Sequence, residues 1–138
     1  MKILVSRCLL GENCRYKGDH CRNEKVLALA KEHELIGVCP ETDGGLCTPR
    51  APAERIGDKV IAADGKDVTA QYRKGAEIAL KTAQEQGVEL CIFKAKSPSC
   101  GCGKIYDGTF SGKLIEGNGV TSELFLKNGY RILTEEML

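Results

Sequence analysis

Eight cysteines in 138 residues are the main reservoir of reactive chemistry in this chain. Their density falls below the roughly 8–10% that marks a small secreted disulfide scaffold, and a chain of this length builds a core without covalent staples. Metal or redox chemistry in a reducing compartment fits them better. Three hold distinctive places: Cys8 follows the apolar run Ile3-Leu4-Val5, Cys39 follows Leu35 to Val38, and Cys100 lies in the loop beyond Val88 to Phe93. In an open parallel α/β sheet, ligands and reactive groups gather at the carboxyl ends of the strands. This placement predicts that the three thiols converge in space; the competing reading is three unrelated buried cysteines.

The neighbours of two of these thiols strengthen the prediction. Cys39 sits in Val38-Cys39-Pro40-Glu41, followed by Thr42-Asp43-Gly44-Gly45-Leu46 and Thr48-Pro49-Arg50. Cys100 sits in Ser97-Pro98-Ser99-Cys100-Gly101. Proline restricts the backbone and glycine lets main chain approach a bulky ligand, so both loops read as built around something, with simple turn shaping as the alternative. Cys91, inside Leu90-Cys91-Ile92-Phe93, reads as a small buried hydrophobe. Cys14, Cys21 and Cys102 stay open between extra ligands, a redox pair and no function, and for Cys47 no function is favoured. The one close pair, Cys100 and Cys102, has CxC rather than CxxC spacing, which weakens a thioredoxin-like reading. Arg50, Lys94 and Lys96 could orient a ligand, balance its charge or be solvated surface cations. His20 and His33 read as surface residues, and Gly117-Asn118-Gly119 as a helix-entry turn.

The elements that must position these residues alternate between strand and helix. Lys2 to Ser6 is a short buried strand, Asn23 caps a helix running to about Glu32, and Leu35 to Val38 is a second strand. Ile56 to Ala63, with Gly57-Asp58 at a turn, suggests a hairpin before Thr69 caps a long helix ending near Gly87. Ala76, Ala79, Leu80 and Ala83 supply that helix's inner face. Val88 to Phe93 is the next strand, Thr121 to Lys127 the last helix with Gly129 as its stop, and Tyr130 to Leu133 the final strand. The pattern predicts one α/β domain over residues 1–138, a three-layer sandwich with a mainly parallel, Rossmann-like sheet.

Charge excludes some partners. Twenty Lys+Arg against nineteen Asp+Glu leave a formal charge of +1, too little field to hold a polyanion, so no nucleic-acid partner is expected. No apolar run approaches the roughly 18 residues of a membrane span, and the N-terminal run is far short of a signal-peptide core, so a cytoplasmic protein without a membrane partner is expected.

Taken in order, Ser6-x-Cys8-Leu9-Leu10-Gly11, Arg15-Tyr16-x-Gly18, Cys39-Pro40-Glu41, Gly44-Gly45, Pro49-Arg50, Ser97-Pro98-Ser99-Cys100-Gly101 and Tyr106-Asp107-Gly108-Thr109-Phe110 form a specific set. The chain resembles a widespread bacterial domain-of-unknown-function family whose characterised members are thiouracil desulfidases, and the resemblance runs to Thr134-Glu135-Glu136. It implies an oxygen-sensitive 4Fe-4S cluster held by three cysteines, matched here by Cys8, Cys39 and Cys100. It further implies a catalytic carboxylate at Glu41 and a catalytic serine at Ser97. Three thiolates leave one iron open, where the sulfur of a thiolated pyrimidine or related thioamide would bind for non-redox, hydrolase-type C–S cleavage. Cys47 stands where many relatives carry Pro or Ser, and Cys102 is an extra thiol; either could close the fourth iron. The alternative function is a non-catalytic cysteine-based metal or iron-sulfur binding module.

Overall fold

A computed structural model describes residues 1–138. In chain order its elements are β1 (Lys2–Ser6), α1 (Glu24–Ala28), β2 (Glu34–Val38), α2 (Pro40–Asp43), β3 (Ala53–Ile56), β4 (Lys59–Ala62), α3 (Thr69–Gln86), β5 (Leu90–Phe93), β6 (Lys104–Tyr106), β7 (Leu114–Glu116), α4 (Val120–Lys127) and β8 (Ile132–Thr134). Four strands form a wholly parallel sheet in the order β2-β1-β5-β8. Two antiparallel hairpins, β3-β4 and β6-β7, stand apart from it.

Alternation along the strands divides the core between the two faces of the sheet. Leu4, Val38, Cys91, Phe93 and Ile132 pack with Ala79 and Ala83 of α3 and Phe125 of α4. Ile3, Val5 and Ile92 pack on the other side with Val26 of α1 and Leu9. The expected three layers are therefore present, with Cys91 wholly inside the core. Phe125 meets Phe93 edge-on at 5.3 Å, which joins the last helix to the middle of the sheet.

The first helix is shorter than its sequence pattern suggests. Asn23 does cap it, its Oδ1 accepting the Val26 N–H at 3.1 Å, but the chain tightens into a 3-10 turn over Leu29–Lys31. Thr69 begins α3 without capping it: its Oγ1 accepts the Val60 N–H at 2.9 Å, tying the helix to β4. Gly87, at φ 68°, ends α3 in the left-handed conformation. The hairpin opens at Ala53, earlier than the apolar residues alone indicate, because Ala53-Glu54-Arg55 pair with Val60 to Ala62 through backbone bonds. The β6-β7 hairpin goes unread in the sequence, since three-residue strands carry too little periodicity.

Candidate active site

Because β1, β2 and β5 run parallel, their carboxyl ends share one edge, with Ser6 level with Val38 and Val5 level with Ile92. Cys8 lies two residues past β1, Cys39 immediately past β2, and Cys100 in the loop that leaves β5. All three are buried free thiols. They line one cavity of about 350 Å³, together with Glu41, Ser97, Arg50, Tyr72, Lys94 and Lys96. The predicted convergence is thus observed.

Each thiol is held by its own loop. The guanidinium of Arg7 grips Asp43 with two bonds, at 3.0 and 3.2 Å, and Asp43 Oδ2 also accepts the Cys39 N–H at 3.2 Å. One carboxylate therefore locks the turn carrying Cys8 to the helix that follows Cys39. The Cys100 loop is bound to the start of α4, where Ser122 Oγ donates to the Cys100 carbonyl at 2.7 Å and the Thr121 N–H donates to the Ser99 carbonyl at 2.9 Å. Ser97 Oγ accepts two N–H groups of this loop, from Ser99 at 3.1 Å and from Cys100 at 3.0 Å. Its oxygen is committed to shaping the loop, and its proton remains free to donate. Lys96, just before it, holds the left-handed conformation at φ 67°, which is uncommon outside glycine.

Further residues complete the site: Ser6 and Arg50 belong to the ordered motifs, whereas Cys14 and Tyr72 lie outside them. Cys14 is buried in the same cavity, and its carbonyl lies 3.9 Å from Cys39 Sγ, with its thiol interacting with those of Cys39 and Cys8. Ser6 stitches two strand ends by accepting the Lys94 N–H at 3.0 Å, and its hydroxyl also meets the Cys100 thiol. Tyr72, on the first turn of α3, donates its hydroxyl to Glu41 Oε1 at 2.7 Å. Arg50 is no solvated cation: its side chain is 8% exposed and its Nη2 reaches Glu41 Oε1 at 3.2 Å. Only the contact of an Arg with a nearby Glu could be anticipated from sequence; Tyr72 needed the packing of α3 to bring it in. Cys47 is exposed, its thiol bonded to the Pro49 carbonyl, and Cys102 packs against the core; neither lines the cavity.

Burial and mutual contact raise three of the cavity's thiols, Cys14, Cys39 and Cys100. Burial pushes Cys100 up to about 12. Cys14 also rises to about 12: contact with Cys39 pulls it down, and contact with Cys8 and burial outweigh that pull. Contact with Cys14, then burial, raises Cys39. Reactive redox cysteines have lowered values and open surroundings, so these are poor free nucleophiles and suitable ligands for a cation that displaces their protons. Burial, then the Glu41 carboxylate, keeps the Tyr72 phenol protonated, so it is the donor in its bond to Glu41. No three Cys, His, Asp or Glu side chains are spaced to share one metal ion.

Residues 3–137 match the family described as 2-thiouracil desulfurase. The chain belongs to that family. It is 47% identical over 146 residues to the uncharacterized protein YbbK of Bacillus subtilis (strain 168), covering 99% of this chain and 97% of the relative. Its fold matches a solved structure of TudS, a [4Fe-4S]-dependent thiouracil desulfidase, with a TM-score of 0.94 and 43% identity over 99% of this chain and 92% of that one. The α/β sandwich and the family read from the motifs both agree with these matches. No helix is long and apolar enough to cross a membrane.

Proposed function

We propose that residues 1–138 act as one desulfidase domain that removes sulfur from a thiolated pyrimidine such as 2-thiouracil, with Cys8, Cys39 and Cys100 holding a 4Fe-4S cluster. The observation that carries this reading is the meeting of three buried thiols, from three separate strand ends, with a carboxylate and a serine in one cavity. The donor set fits the group. Soft thiolates suit iron-sulfur clusters, and three of them from separate strand ends line one cavity with room for a ligand between them. Thiols of this kind persist in a reducing compartment, in keeping with a cytoplasmic setting.

When bound, the cluster supplies an iron without a protein ligand, a Lewis acid for the thiocarbonyl sulfur of the substrate. The protein's own side chains do the rest. Glu41, with Oε1 occupied by Tyr72 and Arg50, has Oε2 free of protein donors to take a proton from an attacking water. Ser97, whose oxygen already accepts two backbone N–H groups, has its hydroxyl proton left to donate, which lets it orient that water. Lys94 and Lys96 are paired with Glu135 at 3.0 Å and Glu136 at 3.2 Å, so they serve the cavity wall more than the substrate. Water attacks carbon and sulfur leaves as sulfide, a hydrolysis without net electron transfer.

The test is anaerobic release of sulfide and uracil from 2-thiouracil by the iron-loaded protein and by Glu41→Gln. Glutamine preserves size but accepts no proton from water, so the variant should keep its iron and lose most turnover, on the order of 100-fold or more. Near-normal turnover by Glu41→Gln would remove it as the base. An inactive, fully loaded wild type would leave a metal-binding module without this reaction.

A further inference from the structure

Two side chains from different parts of the chain converge on one oxygen of Glu41. Tyr72 donates to Oε1 at 2.7 Å and Arg50 Nη2 to the same atom at 3.2 Å. No protein donor reaches Oε2. Tyr72 is almost wholly buried, and the Glu41 side chain keeps 19% of its surface exposed, where it faces the cavity.

Both donors are themselves fixed. Arg50 spreads its guanidinium over Cys47 O at 3.2 Å, Thr48 Oγ1 at 3.1 Å and Cys14 O at 3.0 Å before reaching Glu41, and its own N–H donates to Tyr16 O at 2.8 Å. Tyr72 is fixed by the seating of α2 on α3. A Cβ on Gly75 would lie 1.7 Å from the Pro40 carbonyl oxygen, and one on Gly44 would lie 2.1 Å from that of Gln71. Two glycines thus let the backbones of the two helices touch, which sets Glu41, next to Pro40, against the phenol of Tyr72. A carboxylate on a short four-residue helix would otherwise turn freely about its side-chain bonds.

We propose that Tyr72 and Arg50 are positioning residues for the reaction: by saturating Oε1 they fix the Glu41 carboxylate so that Oε2 alone meets the reacting water. This rests on reading Glu41 as the base. The planar fork of Arg50 is what allows one side chain to bind Glu41 and three loop acceptors together, so lysine would not replace it. Tyr72 contributes a single hydroxyl, and Tyr72→Phe removes it with the ring left in place.

The experiment compares Tyr72→Phe, Arg50→Lys and Glu41→Gln, and Tyr72→Phe combined with Glu41→Gln, after anaerobic iron loading. Iron content, thermal melting, kcat and KM for 2-thiouracil are measured, with the infrared carboxylate bands of Glu41 obtained as the difference from Glu41→Gln. Tyr72→Phe should keep its iron and KM, lower kcat about tenfold and shift the Glu41 bands, and should add nothing in the Glu41→Gln background. An unchanged kcat and unchanged bands in Tyr72→Phe would overturn the proposal, as would an equal loss in the Glu41→Gln background. If the wild type turns nothing over, the desulfidase reading fails, while shifted Glu41 bands would still uphold the restraint on the carboxylate.

Discussion

Gly75→Ala tests the packing on which the site depends. Taken alone, alanine inside α3 would stabilise the helix by about 1 kcal/mol relative to glycine. Its methyl would lie 1.7 Å from the Pro40 carbonyl oxygen and 2.5 Å from the carbonyl carbon, and both are backbone atoms that cannot swing aside. To reach van der Waals distance α2 must retreat by roughly 1.5 Å. Overpacking of this kind costs about 1–3 kcal/mol, so the net loss is about 1 kcal/mol, a fall in Tm of roughly 3–6 °C for a chain this size. The effect on function should be much larger. Glu41 rides on α2, and misplacing a reacting group by about 1 Å can cost about 100-fold in rate. Circular-dichroism melting and anaerobic sulfide release would measure the two quantities side by side. Wild-type turnover and wild-type Tm in Gly75→Ala would refute the claim that contact between the two helices aims the carboxylate.

Cys91→Ser should keep its iron while lowering stability by about 1–3 kcal/mol, because it places a hydroxyl without a partner inside the core between Leu4 and Ile132 of the flanking strands; iron analysis and melting decide this. Glu123 is held below the usual carboxylate range by its bond to Arg55, so its contribution is present at neutral pH and disappears as pH falls through and below that range. Glu123→Gln should therefore be less stable than wild type at pH 7, by about 0.5 kcal/mol or less given the exposure of the pair, and the difference should shrink as pH falls below the usual carboxylate range.

Much of the arrangement can be read from the chain itself. The strands that carry Cys8, Cys39 and Cys100 announce themselves as apolar runs, and a parallel sheet leaves their ends on one edge. Cys91 reads as core for the same reason, since it sits within a run and not after it. The remainder depends on contacts between distant segments. Tyr72 looks like an ordinary helix-face aromatic until Gly44 and Gly75 bring α2 onto α3. The pairing of Arg50 with Glu41 can be anticipated from their closeness in the chain, but its burial among four acceptors depends on the folded loops. Cys14, in a loop without periodicity, joins the other thiols only because the Cys8 carbonyl accepts the N–H groups of Gly11 and Cys21 and folds that loop back. The β6-β7 hairpin is too short to leave a pattern.

Whether Cys8, Cys39 and Cys100 together hold an iron-sulfur cluster is decided by anaerobic purification followed by iron and acid-labile sulfide analysis of wild type and of Cys8→Ser, Cys39→Ser and Cys100→Ser. The wild type should carry about four irons and four sulfides per chain, with visible absorbance lost in air, and each variant should fall well below that while remaining folded. Zinc in place of iron in the wild type, or full iron content in any of the three folded variants, would rule out a cluster held by these three thiols.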